Sequence, residues 1–288
     1  MNGQYDRATE DIGNIVALEH VNIRVPDQRL ATLFYISGLG LTRDPYLMTG
    51  VTNMWVNVGR GQFHLPTGEA QVLRGRIGLV LPDLDTLEGR LAALRVPLDG
   101  TRFDFSLAEN HVDVTCPWGN RIRCHAPDAR FGAVALAMPY LEFDVPEGAA
   151  EGIARFYDVV LNAPAVAESG TARVAAGAGQ TLVFRESAAA PVPYDGHHIQ
   201  IYVADFSGPH GRLGGRGLIT EESNRYQYRF KDIVDPASGA MLFTVEHEVR
   251  SMTHPLYSRP LVNRNPDQTN AAFAAGHEER PWALPFSD

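Results

Sequence analysis

The stretch Glu19-His20-Val21-Asn22-Ile23-Arg24-Val25-Pro26-Asp27 decides the fold, because the chain repeats it three more times, at residues 76–83, 140–147 and 198–205. Each copy alternates apolar and polar residues with the two-residue period of a strand that has one buried face. Each then ends at a turn-forming pair, in which proline or alanine precedes an acid. The spacing of about 55 to 65 residues predicts a fourfold internal repeat.

The two faces of this strand differ in character. Val21, Ile23 and Val25 share the apolar face, which a helix should cover. The polar positions are His20, Asn22 and Arg24 in the first copy and His198, Gln200 and Tyr202 in the fourth. Such a polar face either contacts solvent or lines a cleft. The elements predicted between the copies are needed to distinguish these two interpretations.

Each repeat is predicted to continue as a helix followed by strands. Helices are expected at residues 28–37, 84–94 and 150–161, where apolar residues recur at helical spacing. Strands are expected at 41–47, 50–58 and 61–65, at 102–105, 111–115 and 120–126, and at 240–248. The repeating unit is therefore β-α-β-β, with a further strand.

The fourth repeat departs from this pattern. Residues 206–217 are rich in glycine, which predicts a loop beside the cleft instead of a helix. The glycine spacing is not that of a phosphate-binding loop. We expect either a lid, in which Arg212 and Arg216 contact an anionic substrate group, or a plain surface loop.

Length and composition place limits on the protein class. With 288 residues, 44% of them hydrophobic, the chain is long enough for two domains, each containing two repeats. We expect these domains at 15–127 and 136–250, and we expect the tail, 251–288, to wrap around them. The only cysteines, Cys116 and Cys124, flank a Pro-Trp-Gly turn, which disfavours a disulfide framework or a cysteine zinc site.

Charge and targeting signals indicate the partners and the compartment. The net charge of −9 is spread along the chain, which argues against nucleic acid or an anionic membrane as the partner. Residues 1–11 contain no apolar signal core, and no segment is long enough to span a bilayer. We therefore expect a cytoplasmic protein with a small-molecule partner, and a homodimer is left open.

Three motifs accompany the repeats. Phe34-Tyr35 precedes Gly38-Leu39-Gly40-Leu41, a Pro-Trp-Gly-Asn turn occupies 117–120, and an Asp-Pro turn begins at Asp235. Together with the β-α-β-β-β repeats, these motifs resemble the vicinal oxygen chelate superfamily over about residues 15–250. This superfamily includes glyoxalase I, extradiol dioxygenases, methylmalonyl-CoA epimerase, and the fosfomycin-resistance and bleomycin-binding proteins. The resemblance implies an α+β fold, in which four βαβββ repeats form two glyoxalase-like half-barrel domains.

The resemblance also implies a metal site made by the first and last strands of two paired repeats. The corresponding positions are His20, His64, Arg76, Arg123, Tyr140, Val183, His198 and Phe243. Pairing repeat one with two and three with four gives no good metal site. Pairing one with four brings His20, His64 and His198 together and leaves the other cleft without metal. Glu246 could add a carboxylate only if the last strand carries a bulge.

Three neutral imidazoles suit Fe²⁺, Mn²⁺, Zn²⁺ or Ni²⁺, although they could equally line a polar cavity without metal. The resemblance implies a metal-dependent enzyme that acts on a small oxygenated molecule by enolate-type lyase or isomerase chemistry. Asn22, Arg24, Gln62, Gln200 and Tyr202 are the predicted substrate-binding residues, and no catalytic residue is assigned. The alternatives are a ring-cleaving dioxygenase using Fe²⁺ or Mn²⁺, and a metal-free protein that binds or sequesters a small molecule.

Overall fold

A computed structural model of the chain describes residues 6–47, 50–190 and 192–264. The strands are β1 (Ile15–Asn22), β2 (Thr42–Arg43), β3 (Asn53–Val58), β4 (Gly61–Pro66), β5 (Gly75–Val80), β6 (Asp104–Ala108), β7 (His111–Thr115), β8 (Arg121–His125), β9 (Ala137–Pro146), β10 (Ala165–Glu168), β11 (Thr171–Ala175), β12 (Thr181–Ser187), β13 (His198–Val203), β14 (Ile219–Asn224), β15 (Gln227–Val234) and β16 (Met241–Ser251). The α-helices are α1 (Gln28–Ala31), α2 (Leu84–Ala93), α3 (Ala150–Phe156) and α4 (Ser207–Gly214).

The strands form two eight-stranded mixed sheets. The first has the order β14-β15-β16-β13-β1-β4-β3-β2 and combines the strands of repeats one and four. The second has the order β10-β11-β12-β9-β5-β8-β7-β6 and combines repeats two and three. These sheets confirm the predicted α+β fold of four repeats in two glyoxalase-like half-barrels. They also answer the question of pairing, since repeat one shares its sheet with repeat four.

The acid that ends a strand copy begins the following helix. The Asp27 carboxylate accepts hydrogen bonds from the backbone N–H groups of Arg29 (2.7 Å) and Leu30 (3.3 Å), and Asp83 does the same at the start of α2. Such N-caps satisfy donors that have no partner inside the helix. The turn-forming acids of repeats one and two are therefore also helix-capping residues.

The prediction of a loop at residues 206–217 is wrong, because Ser207–Gly214 forms α4. Asp205 accepts a hydrogen bond from the Gly208 N–H (2.9 Å), and Leu213 is buried. Capping and burial of the leucine offset the low helix propensity of glycine. Arg212, predicted as a contact for an anionic substrate, donates to the Val160 carbonyl oxygen (2.8 Å).

The helices of repeats one and three each continue into a π-helical turn, at Thr32–Gly38 and Tyr157–Leu161. The predicted helices at 28–37 and 150–161 are therefore confirmed, with wider winding in their second halves. The first π turn contains Phe34 and Tyr35, and the second begins at Tyr157, directly after Phe156; all four rings are fully buried. The Phe-Tyr pair that the two repeats share in sequence therefore has the same buried position in both.

By contact density the chain divides into two compact units. The first comprises Met1–Leu18, Asp144–Pro191 and Ile201–Tyr257, and the second comprises Glu19–Phe143, Val192–Gln200 and Ser258–Asp288. In the first unit, Tyr157 Oη lies 2.6 Å from His247 Nε2, and the His247 ring stacks on Phe230. In the second, Phe34, Tyr35 and Phe63 pack ring against ring. The continuous domain boundaries expected from the repeats stay a prediction.

The two chain ends are described only in part. Arg7–Glu10 forms a 3₁₀ turn, and residues 258–264 lie against β2, β3 and the turn that follows β3. Residues 1–5, and residues 265–288 of the predicted tail at 251–288, fall outside the described residues. In the described part of the chain, no helix has the length and apolar character needed to cross a membrane.

Candidate metal centre

Three neighbouring strands of the first sheet carry the candidate metal ligands. In the order β13-β1-β4, these strands contribute His198, His20 and His64. All three side chains are buried. One sheet therefore presents three imidazoles on adjacent strands.

The three histidines predicted from the repeats lie together in the second unit. The imidazole centroids of His20 and His64 are 3.7 Å apart, with 24° between the ring planes. The centroids of His20 and His198 are 5.7 Å apart, with the rings edge to face. His20 is thus the central member of the cluster.

One group of potential ligand atoms lies around His20 in the second unit. Glu19, His20 and His64 place their ligand atoms within 4.8 Å of one another. Imidazole nitrogen and carboxylate oxygen are ligands suited to Zn²⁺, Fe²⁺, Mn²⁺ and Ni²⁺. The donor set therefore fits a divalent transition metal.

Counting from the glycine turns placed Phe243 at the ligand position of repeat four, and the Phe243 ring packs edge to face against Phe184. Between the register pairs Thr244↔Asp232 and His247↔Phe230, two residues of β16 face one residue of β15. This is a β-bulge, which changes the alternation of the strand. The bulge on which a ligand role of Glu246 depended is therefore present in β16.

Two arginines hold the Glu248 carboxylate in place. Arg250 Nη2 lies 2.6 Å from Glu248 Oε1, and Arg229 Nη2 donates to Glu248 Oε2. Arg229 also pairs with Glu246 at 2.5 Å. The Coulombic attraction of these carboxylates outweighs the effect of burial and raises the pKa of Arg229. A carboxylate between two guanidinium groups remains ionised and is a weak proton acceptor.

A carboxylate also orients His20. Glu19 Oε2 lies 2.7 Å from His20 Nδ1, so the ring proton of the neutral imidazole belongs on Nδ1. Nε2 then carries the lone pair that a metal requires. Carboxylate–histidine pairs of this kind orient the ligating ring in metalloproteins.

The structure places the predicted substrate-binding residues in different surroundings. Gln62 is buried, and its amide group hydrogen-bonds to Asp44 and Asn57. Asn22 is half-buried, and Arg24 is exposed, with its Nη2 3.4 Å from the Asp195 carbonyl oxygen. These surroundings leave the substrate roles of the three residues as predictions.

Gln200 and Tyr202 share a strand face with His198. The Tyr202 hydroxyl lies 3.5 Å from Arg250 Nη1, and its ring meets the Tyr257 ring edge to face. Gln200 is fully buried, and within the described part of the chain neither its Nε2 nor its Oε1 has a hydrogen-bond partner. A buried amide without hydrogen-bond partners destabilises the folded protein. A bound ligand that offers both an acceptor and a donor would remove this cost.

The polar positions of the second sheet hold different side chains. Arg123 makes a bidentate ion pair with Asp113 at 2.7 and 2.8 Å. The Tyr140 hydroxyl lies 2.9 Å from His125 Nε2, and its ring covers the backbone of Gly78. The positions equivalent to the histidines of the first sheet are therefore occupied here by side chains that contact other residues of the protein.

Solved structures with the same fold are similar to this chain. A candidate dioxygenase from Bacillus subtilis superposes with a TM-score of 0.56 at 13% identity, over 84% of this chain and 86% of that chain. Glyoxalase I from Zea mays superposes with a TM-score of 0.53 at 12% identity, over 82% of this chain and 92% of that chain. The chain therefore has the vicinal oxygen chelate fold, as its repeats predicted. No protein-family model matches the sequence, and no curated protein matches it.

Proposed function

We propose that this protein is a metal-dependent enzyme of the vicinal oxygen chelate type, acting on a small oxygenated organic molecule. The observation that carries the proposal is the group of Glu19, His20 and His64 in the second unit, with ligand atoms within 4.8 Å of one another and His198 edge to face with His20. His20, His64 and His198 would hold Fe²⁺, Mn²⁺, Zn²⁺ or Ni²⁺. Such a cation supplies Lewis-acid polarisation of a carbonyl oxygen, which acidifies a neighbouring C–H or O–H bond.

The protein's own residues prepare this site. Glu19 fixes the ring of His20. Gln200 offers both a donor and an acceptor on the face of His198 and therefore suits a substrate with two adjacent oxygen atoms.

Enolate-type lyase or isomerase chemistry is the first candidate reaction. It requires a carbonyl next to an acidic C–H bond and polar groups that fix the carbonyl. The amide of Gln200 and the hydroxyl of Tyr202 share the strand face of His198 and are the groups we assign to this task. The proton acceptor for this reaction is not assigned.

A ring-cleaving dioxygenase is the second candidate, and one observation favours it. Glu19, His20 and His64 place two histidines and one carboxylate within 4.8 Å of one another, and two histidines with one carboxylate are the ligand set typical of non-haem Fe²⁺ oxygenases.

Metal content tests the proposal first. Wild-type protein reconstituted with each of the four cations should retain about one metal ion per chain, and His198→Ala and His64→Ala should lose it. Arg24→Ala, which removes an exposed side chain, is the matched control and should retain the metal. Absence of bound metal in the reconstituted wild type would overturn the metalloenzyme proposal and leave a metal-free binding protein.

Oxygen dependence then separates the two reactions. An enolate-forming enzyme should exchange the carbon-bound hydrogen of an α-hydroxycarbonyl compound with D₂O in the absence of oxygen. A dioxygenase in its Fe²⁺ form should consume O₂ in the presence of a catechol and show no anaerobic exchange. Activity in neither assay over a panel of both compound classes would argue against both candidate reactions.

A further inference from the structure

A chain of side chains joins the C-terminal segment to His64. We use the name C-terminal strap for residues 258–264, which belong to the second unit together with His64. The chain runs from Arg259 through Asp44 and Gln62 to His64, and each consecutive pair is within hydrogen-bond distance. The repeats did not predict this connection, because Arg259 and Asp44 lie outside the repeated motifs.

The first link is a buried ion pair. Arg259 Nη2 lies 2.6 Å from Asp44 Oδ2, and the Asp44 side chain is fully buried. Burial by itself would raise the pKa of Asp44, but hydrogen bonds from Arg259 and from the backbone N–H groups of Leu47 and Tyr46 outweigh it and lower the pKa. Asp44 is therefore an ionised carboxylate that can only accept hydrogen bonds.

The second link fixes the orientation of the Gln62 amide. Asp44 Oδ2 is 2.8 Å from Gln62 Nε2, and Asn57 Oδ1 is 2.6 Å from the same nitrogen. Since the carboxylate accepts only, the NH₂ end of the amide must face it. The carbonyl end, Oε1, is then directed to the other side.

The third link fixes the tautomer of His64. Gln62 Oε1 lies 3.1 Å from His64 Nε2, and an amide oxygen can only accept. The ring proton of neutral His64 therefore resides on Nε2. The lone pair needed for metal binding resides on Nδ1, and the protonation pattern of the ring is determined before any metal arrives.

The strap is anchored at three further points on β2 and β3 and the turn that follows β3. Asn57 Nδ2 donates to the Val262 carbonyl oxygen (2.8 Å), which directs Asn57 Oδ1 towards Gln62. The Asn263 amide accepts from the Gly59 N–H (3.0 Å) and donates to the Gly59 carbonyl oxygen (2.8 Å). The Arg264 N–H donates to Thr42 Oγ1 (3.0 Å).

We infer that the C-terminal strap is a positioning device for His64, in which Arg259, acting through Asp44 and Gln62, selects the Nε2–H tautomer and keeps Nδ1 available to a metal. The inference rests on the proposed function, since it assigns His64 as a metal ligand. Arg259, Asp44 and Gln62 are positioning residues, because none of them needs to touch the metal or the substrate.

The tautomer is measured in the metal-free protein by the ¹⁵N chemical shifts of the His64 imidazole. Wild type should show a protonated Nε2 and an unprotonated Nδ1. Arg259→Ala and Gln62→Leu should show a mixture of both tautomers. Arg264→Ala removes the same charge from the same strap but leaves its backbone hydrogen bond, and it should retain the wild-type shifts.

The affinity for Zn²⁺, measured by competition with a chromophoric chelator, is the second readout. Arg259→Ala and Gln62→Leu should weaken binding by about 10- to 100-fold, the usual effect of removing a residue that orients a metal ligand. Arg264→Ala should bind as wild type does. If Arg259→Ala fails to fold, Gln62→Leu tests the same chain, because it leaves the ion pair of Arg259 and Asp44 intact.

The outcomes separate this inference from the proposed function. Folded Arg259→Ala and Gln62→Leu proteins with the wild-type tautomer and Zn²⁺ affinity would overturn the inference. The inference would also be overturned if Arg264→Ala changed the tautomer and the Zn²⁺ affinity as Arg259→Ala does. The effect would then come from the positive charge of the strap and not from the contact of Arg259 with Asp44. Wild type that binds no metal would overturn the proposed function, whereas the ¹⁵N shifts would still decide whether the strap sets the tautomer.

Discussion

The Trp55 indole lies flat against the His64 imidazole, with ring centroids 3.8 Å apart and 6° between the ring planes. The opposite face of the His64 ring stacks on His20 at 3.7 Å. Stacking fixes the plane of the His64 ring, whereas Gln62 fixes its rotation within that plane. The orientation of this imidazole is therefore determined by contacts inside the protein.

Replacing Trp55 should remove a contact that fixes the plane of the His64 ring. In a Trp55→Leu variant, loss of the ring stack should lower the free energy of unfolding by at least about 1 kcal/mol and weaken Zn²⁺ binding. Urea unfolding and chelator competition measure the two effects. Trp118→Leu, which removes an indole from the turn at 117–120, is the control for metal binding. Equal Zn²⁺ affinities for Trp55→Leu and wild type would show that the stack does not orient the ligand.

Glu246 and Glu248 offer a matched pair, because both contact Arg229 and only Glu248 also contacts Arg250. Glu248→Gln should be the less stable variant, by about 1 kcal/mol or more, since it leaves two guanidinium groups without their shared carboxylate. Urea unfolding of both variants checks this expectation. Equal free energies of unfolding would show that the second arginine adds nothing to the role of Glu248.

The fold could be predicted because its signal is periodic. The alternation around His20 returns in all four repeats, and the acids after the strands, such as Asp27, cap the following helices. The helix α4 was missed because glycine content is a local signal, whereas its stability comes from the Asp205 cap and the burial of Leu213. Propensity is a weak indicator wherever packing can override it.

The candidate site could be predicted in part. His20, His64 and His198 occupy repeat positions, so their proximity follows from the pairing of repeats one and four. The facing of the residues in β16 could not be found by counting, because a bulge depends on the register of β16 with β15 and leaves no mark in the sequence pattern. Arg259 could not be found either, since its contact with Asp44 joins residues far apart in the chain.

The buried amide of Gln200 should lower the stability of the metal-free protein. Its amide is buried without a partner among the described residues, so Gln200→Met, which keeps the volume and removes the polar atoms, should raise the free energy of unfolding by about 1 kcal/mol. Urea unfolding of the metal-free protein measures the change. Gln62→Met, which removes an amide that does have partners, should destabilise the protein instead. A destabilised Gln200→Met would indicate that the amide is satisfied in the free protein, which would weaken its assignment to the substrate.

The environment of His125 predicts a dependence of stability on pH. Burial, together with the positive charges of Arg130, His111 and Arg123, lowers the pKa of His125 to about 4. Arg130 Nη2 lies 3.2 Å from His125 Nδ1, so a proton on that nitrogen would face the guanidinium group. In the unfolded chain a histidine titrates near 6.5. As the pH falls from about 6.5 to 4, the unfolded state therefore gains a proton that the folded state does not, and stability is lost across this window.

His125→Gln should remove this part of the pH dependence, because glutamine keeps a donor and an acceptor but does not titrate. The difference in the free energy of unfolding between wild type and His125→Gln should therefore shrink as the pH falls from 7 to 4, as measured by urea unfolding at each pH. Tyr140→Phe is the control. It removes the hydroxyl 2.9 Å from His125 Nε2 and should cost about 1 kcal/mol at every pH while keeping the wild-type slope. Parallel pH profiles for wild type and His125→Gln would show that His125 titrates alike in the folded and unfolded states.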